Sequence, residues 1–184
     1  MELFLSISIG IGLSAACGYR VFVPLLGMSI AAAQGHISLP EGMQWISSQE
    51  ALVAFSVATA AEIAAYYIPL IDNMLDTIAA PAAITAGTIV MASFVTDVSP
   101  LLKWSLAIIA GGGTAGLFQG STTLIRGTST AVTAGMGNFA FTSVETGIAI
   151  LLTLLALSLP LATAIVVLIM VILALKGIFR KLTA

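Results

Sequence analysis

From Trp104 to Ile125 the chain runs for 22 residues without a charge. At 1.5 Å of rise per residue, a helix of that length crosses the roughly 30 Å hydrocarbon core of a bilayer. Similar apolar stretches fill most of the 184 residues, so the chain is constrained to bury its backbone polar groups in helices that face lipid. Hydrophobic residues make up 59 % and charged residues 8 %, with a mean hydropathy of +1.14, whereas an ordinary soluble domain carries roughly 25 % charged residues. Six basic and eight acidic side chains, a net charge of −2, cannot cover a water-facing surface. A soluble packed domain, a disordered tail and a polybasic nucleic-acid module are all excluded.

Chemistry-bearing residues are equally scarce. One cysteine, Cys17, and one histidine, His36, leave no intrachain disulfide and no Cys-rich or His-cluster metal site. A Ser-His-Asp cleft built on that single loop histidine and a phosphate-cradling Gly-rich loop are both missing from the pattern, so no catalytic residue, metal or cofactor is expected and the protein is read as a non-enzyme. Met1-Glu2-Leu3 lacks the basic start of a secretory signal, and the first apolar stretch is expected to remain as a membrane segment.

Measured against the membrane, the chain divides into about six spans. Leu3 to Gly35 is too long for one straight helix, and Gly18, Arg20 and Pro24 mark a break within it. Residues 36–48 read as a loop carrying an interfacial Trp45. Span two covers about Gln49 to Ile68 with Glu62 inside it. Leu70 to Ala80 reads as an amphipathic interfacial segment, with Asp72 and Asp76 on one solvated face and too few ligands for a divalent cation. Span three runs from Pro81 to about Thr96, and a turn over 97–103 leads into span four, which Arg126 closes. Gly127 to Asn138 is small and hydroxylated, as in a re-entrant or cavity-lining segment. Span five covers Phe139 to Leu157 with Glu145 inside, Pro160 turns the chain, and span six runs from Leu161 to about Ile178. Lys176, Arg180 and Lys181 place the C-terminus in the cytoplasm, and six crossings bring the N-terminus to the same side.

A charge at the bilayer centre costs on the order of 3 kcal/mol and must face a partner, a cavity or the interface. Arg20, Glu62, Arg126 and Glu145 are therefore the main site candidates. Two readings compete. In one, the four form buried ion pairs that lock the bundle, Arg20 with Glu145 or Glu62 and Arg126 with the other; in the second they form a solute or proton site. Arg126 also suits snorkelling to the interface at a span end. Thr128, Ser129 and Thr130, with neighbouring hydroxyls, could line a pathway or merely cap and pack helices. Gly112, Gly116 and Gly120, spaced by four, read as a helix-packing stripe.

An offset of 106 aligns Arg20 with Arg126 and Ser6, Gly10 and Ser14 with Gly112, Gly116 and Gly120. This suggests two inverted three-span halves, 1–97 and 98–184, within a single transmembrane domain.

Gly18-Tyr19-Arg20, the stretch from Glu62 to Pro69 with Asp72 and Asp76, Gly111-Gly112-Gly113 and residues 138–145 together resemble a bacterial integral membrane family, domain of unknown function 4126. The resemblance covers nearly the whole chain and implies an inner-membrane protein without assigning an activity. Tyr66-Tyr67 stand where that family commonly has Asp-Lys, and no arginine precedes Pro81, departures that argue against a charged role for the segment after span two. The expectation is an all-α polytopic bundle, homo-oligomeric, in contact with the lipid bilayer and without a nucleic-acid partner. Its leading function is transport of a small ion or solute; the alternative is a structural or assembly factor that docks on other membrane proteins.

Overall fold

The computed structural model describes residues 2–96, 98–133 and 136–182. Among them all regular structure is helical. The first apolar region is interrupted as expected, into α1 (Glu2–Cys17) and α2 (Phe22–Ala33). At the break α1 tightens, with the Gly18 and Tyr19 amides donating three residues back to Ala15 and Ala16 at 3.1 and 3.0 Å. Gly18 is there for space: a Cβ on it would lie 2.6 Å from the Ala115 carbonyl oxygen and 2.6 Å from the Phe118 Cβ. Pro24 falls in the first turn of α2, where a missing N–H costs no helical bond.

Gly35, with φ +75°, ends α2. The His36 amide reaches back to the Ala31 carbonyl at 2.8 Å and Gly35 to Ala32 at 3.0 Å, which satisfies the last turn. The loop that follows holds a short 3-10 turn, Gln44–Ser47. Ser29 pins it by donating to the Ile46 carbonyl at 2.6 Å, and Trp45 stays exposed beside Phe55. Ser48 caps α3 (Gln49–Ala65) by accepting from the Ala51 amide.

Two boundaries differ from the sequence reading. The expected interfacial segment and third span are one 26-residue helix, α4 (Pro69–Phe94), with Pro81 inside it. The helix continues through the proline, and contacts with the next helix fall on both sides of it, at Asp72 and Asp76 and at Ile84 and Gly87. That next helix, α5, runs over Pro100–Thr133, beyond the expected stop at Arg126 and into the stretch, Gly127 to Asn138, expected to be re-entrant. The helix itself satisfies hydroxyls in this polar run: Thr128 and Thr133 each donate to the carbonyl four residues back, at 2.9 and 2.8 Å. Within α5, Ala107–Gly112 forms a π-helical segment. Two helices follow as expected, α6 (Asn138–Ser158) and α7 (Pro160–Leu182), joined at Leu159. Asp97, Ala134 and Gly135, parts of the expected turn and re-entrant segment, lie outside the described residues, as do the side chains of Arg180 and Lys181.

Among the described residues four helical stretches are long and apolar enough to cross a membrane: Met74–Phe94, Pro100–Thr133, Asn138–Ser158 and Pro160–Gly177. The helices of the interrupted first region are apolar but shorter. Outward faces carry bare aliphatic side chains such as Leu154, Ile165 and Leu173, as lipid contact requires.

The bundle is built around α1, which packs against α4, α5, α6 and α7. Small side chains make this convergence feasible: Ala15, Ala16, Ala115, Ala149 and Ala156 are fully buried. α4 and α5 run antiparallel and touch backbone to backbone, since a Cβ on Gly111 would lie 2.5 Å from the Gly87 carbonyl oxygen. The Ser14 hydroxyl donates to that same carbonyl at 2.9 Å and ties in α1. Gly112 and Gly116 face Ile84 and Thr88 of α4, as the packing stripe required, but Gly120 faces open space. Steps of four residues overshoot a full helical turn by about 40° each, so the third glycine rotates off the seam.

Gly111→Val should force α4 from α5 and lower stability by about 1–3 kcal/mol, whereas Gly120→Ala should leave it within about 0.5 kcal/mol. Thermal unfolding in detergent micelles measures both.

Candidate functional site

Five chain segments bring charges to one place, at the level of the α1–α2 break. Arg20 lies in the break itself, Glu62 and Tyr66 at the end of α3, Asp72 and Asp76 on α4, Arg126 on α5, and Thr142 and Glu145 on α6. Arg20, Arg126 and Asp72 are each 1 % exposed and Glu145 5 %. Here the low local dielectric makes an unpaired charge prohibitive.

Each guanidinium is correspondingly occupied. Arg20 pairs with Glu145 at 3.2 Å and donates to the Tyr19 carbonyl, the Thr142 carbonyl and the Thr146 hydroxyl at 3.0, 3.2 and 3.1 Å. Arg126 pairs with Asp72, lies 3.4 Å from Asp76 and donates to Glu145 at 2.8 Å. One carboxylate oxygen, Oε2 of Glu145, therefore serves both arginines. The two guanidinium carbons also sit 4.1 and 4.5 Å from the centroid of the Tyr66 ring, where the ring's negative face attracts them. Asn138 closes one side, its amide nitrogen donating to Asp72 at 3.0 Å and to Thr130 at 2.9 Å.

Glu62 has a different task. Its two carboxylate oxygens accept the amides of Val21 and Phe22 at 2.7 and 3.0 Å. Those are orphan donors at the start of α2, and no local side chain caps them. The negative charge also opposes the positive end of the helix dipole. An apolar-walled cavity of about 330 Å³ between the start of α2, α3 and α4 reaches this carboxylate and Tyr66, with Ala61, Leu75 and Ala79 among its walls.

Several expectations need correction. Arg126 does not snorkel at a span end; it is buried in mid-helix. Of the two anticipated pairs, Arg20 with Glu145 forms, while Arg126 pairs with Asp72, Asp76 and Glu145 rather than with Glu62. Asp72 and Asp76 do share one face, but that face meets Arg126 and not solvent, so the segment after span two is charged in its role. Thr128 is exposed and bonds only within its own helix, whereas Thr130 touches the cluster through Asn138 and the buried Ser129 hydroxyl oxygen has no partner.

Tyr66, Thr142 and Asn138 were not singled out from the sequence. Spacing held a signal for each: Tyr66 follows Glu62 by one helical turn, and Thr142 and Asn138 precede Glu145 by three and seven residues, on its face.

The fold and this cluster define a small all-α protein of membrane-like apolar helices with a buried ionic centre. Residues 7–180 match the family described as a domain of unknown function, DUF4126, and the chain belongs to it. No curated protein and no solved structure matches the chain.

Glu145→Ala should strand two buried guanidinium groups and cost about 3–5 kcal/mol, while Thr128→Ala should change stability by no more than about 0.5 kcal/mol. Chemical or thermal unfolding in micelles distinguishes them.

Proposed function

We propose that the protein is a small transporter or channel for an ion or small solute, with its pathway passing the cluster of Arg20, Glu62, Arg126 and Glu145. The observation that carries this reading is the imbalance of the site. Four carboxylates, Glu62, Asp72, Asp76 and Glu145, converge with two arginines, in a chain with only fourteen fixed charges. A bundle that needed ion pairs merely to hold together would match its charges. A surplus of negative charge, beside an interrupted helix and a cavity that reaches Glu62, suits a mobile cation as the missing counter-charge.

The proposal extends to topology. The interrupted α1–α2 region together with α3 to α7 supplies about six crossings of a bacterial inner membrane, with both termini cytoplasmic. Arg20 and Arg126, equivalent under the offset of 106, meet at Tyr66, which favours two inverted halves. Close small-residue contacts favour a homo-oligomer.

A second reading has one observation in its favour: both arginines have carboxylate partners and are almost wholly buried. On that reading the cluster is a lock, and the protein is a non-catalytic structural or assembly factor.

Reconstitution in liposomes separates the two. Transport predicts ion flux above that of empty vesicles, reduced at least tenfold by Glu62→Gln with the melting temperature held within a few degrees. A lock predicts no flux from the wild-type protein, with Arg20→Ala acting on stability alone.

A further inference from the structure

The counter-charge has a place of its own. Around Arg126 three carboxylates, Asp72, Asp76 and Glu145, face two guanidinium groups, those of Arg126 and Arg20, with Tyr66 over both arginines. One negative charge is left over. Three buried oxygens of residues in or next to this cluster have no hydrogen-bond partner, Oδ1 of Asp76, Oδ1 of Asn138 and Oγ of Ser129, while Oδ1 of Asp72 and the Nε and Nη2 of Arg126 are held by ion pairs alone. Asn138 is 4 % exposed and its amide nitrogen is already held by Asp72 and Thr130, so the carboxamide is fixed beside the acidic pair with its oxygen unused. A buried carbonyl oxygen left bare costs about 1–3 kcal/mol.

We propose that a dehydrated monovalent alkali cation with the chemistry of sodium binds here, taken by the oxygens of Asp76, Asn138 and Ser129 next to Arg126. This deepens the transport reading, on which it rests, by naming the ion. Hard oxygen donors of mixed charge suit an alkali ion, and a single surplus charge suits a monovalent one. A calcium ion would ask for six to eight oxygens. Among the described residues no three His, Cys, Asp or Glu side chains are grouped to hold a metal ion, so the neutral oxygens of Asn138 and Ser129 are needed to complete the set. A proton on Asp76 would answer the surplus charge but supplies a single O–H donor, which meets at most one of those two neutral oxygens. The 3.4 Å separation of Arg126 from Asp76, its longest ionic contact, makes Asp76 the carboxylate that the guanidinium shares most easily with a cation.

The test is thermal unfolding of the full-length protein in detergent, titrated with sodium chloride against choline chloride at constant ionic strength and pH. A saturable sodium-specific rise on the order of 5–10 °C is expected. Asp76→Asn and Asn138→Leu should each abolish that rise, and Asp76→Asn, which removes the surplus charge, should melt in choline no lower than the wild type. Equal melting curves in the two salts, an unchanged sodium response in Asp76→Asn, or stabilisation by acid alone would each overturn the site. Sodium binding without liposome flux would remove the transport reading and leave the site standing; flux indifferent to sodium would do the reverse.

Discussion

A guanidinium inside a membrane bundle must be answered on every side, and two of them, Arg20 and Arg126, set the terms for the rest of this fold. Neither is answered from its own segment alone. Arg20 draws on Thr142, Glu145 and Thr146 of α6, and Arg126 draws on α4 and α6. Glu145 and Tyr66 join the two sets into a single unit, so α3, α4, α5, α6 and the α1–α2 break are positioned by one electrostatic requirement. Removing the desolvated charges as pairs would be far less costly than removing one member, and the cluster therefore behaves as one object.

The rest of the molecule makes that convergence sterically feasible. Helices surrounded by lipid gain nothing by hiding apolar surface from one another, and close packing with interhelical hydrogen bonds has to supply the attraction. Gly87 against Gly111, Gly18 against Ala115 and the Ser14 hydroxyl on the Gly87 carbonyl bring three backbones into contact at one level. The antiparallel seam begun there carries α5 along α4 until Arg126 reaches Asp72 and Asp76. Glycine packing and ion pairing are thus two stretches of the same interface.

Much of this was legible in the sequence. Charge scarcity and uncharged runs fixed the all-α membrane class, and the break at Gly18–Arg20 followed from residues that do not continue a helix. The family match over residues 7–180 agrees with the resemblance carried by Gly18-Tyr19-Arg20 and its companion motifs. What periodicity did not disclose was depth. Asp72 and Asp76 were correctly placed on one face, but a face has no label for its neighbour, and an acidic pair facing water has the same spacing as one facing Arg126. Pro81 and the hydroxylated run after Arg126 misled for a related reason. Both are poor helix formers in isolation, yet tertiary contacts override propensity, and the hydroxyls find acceptors in the i−4 carbonyls of their own helix. Tyr66 read only as a departure from the family pattern, because its importance lies in the two guanidinium groups on its ring.

Glu62 places the terminal charge of one helix in the custody of another. The start of α2 is neutralised by a carboxylate that belongs to α3, and α3 itself leans mainly on α2 and on the 3-10 turn before it. Any swing of α3 away from the bundle would withdraw that carboxylate and bare two amide donors at the core of the protein. The half-helix and its neighbour are in consequence tied through one side chain, which stands at the edge of an apolar-walled void.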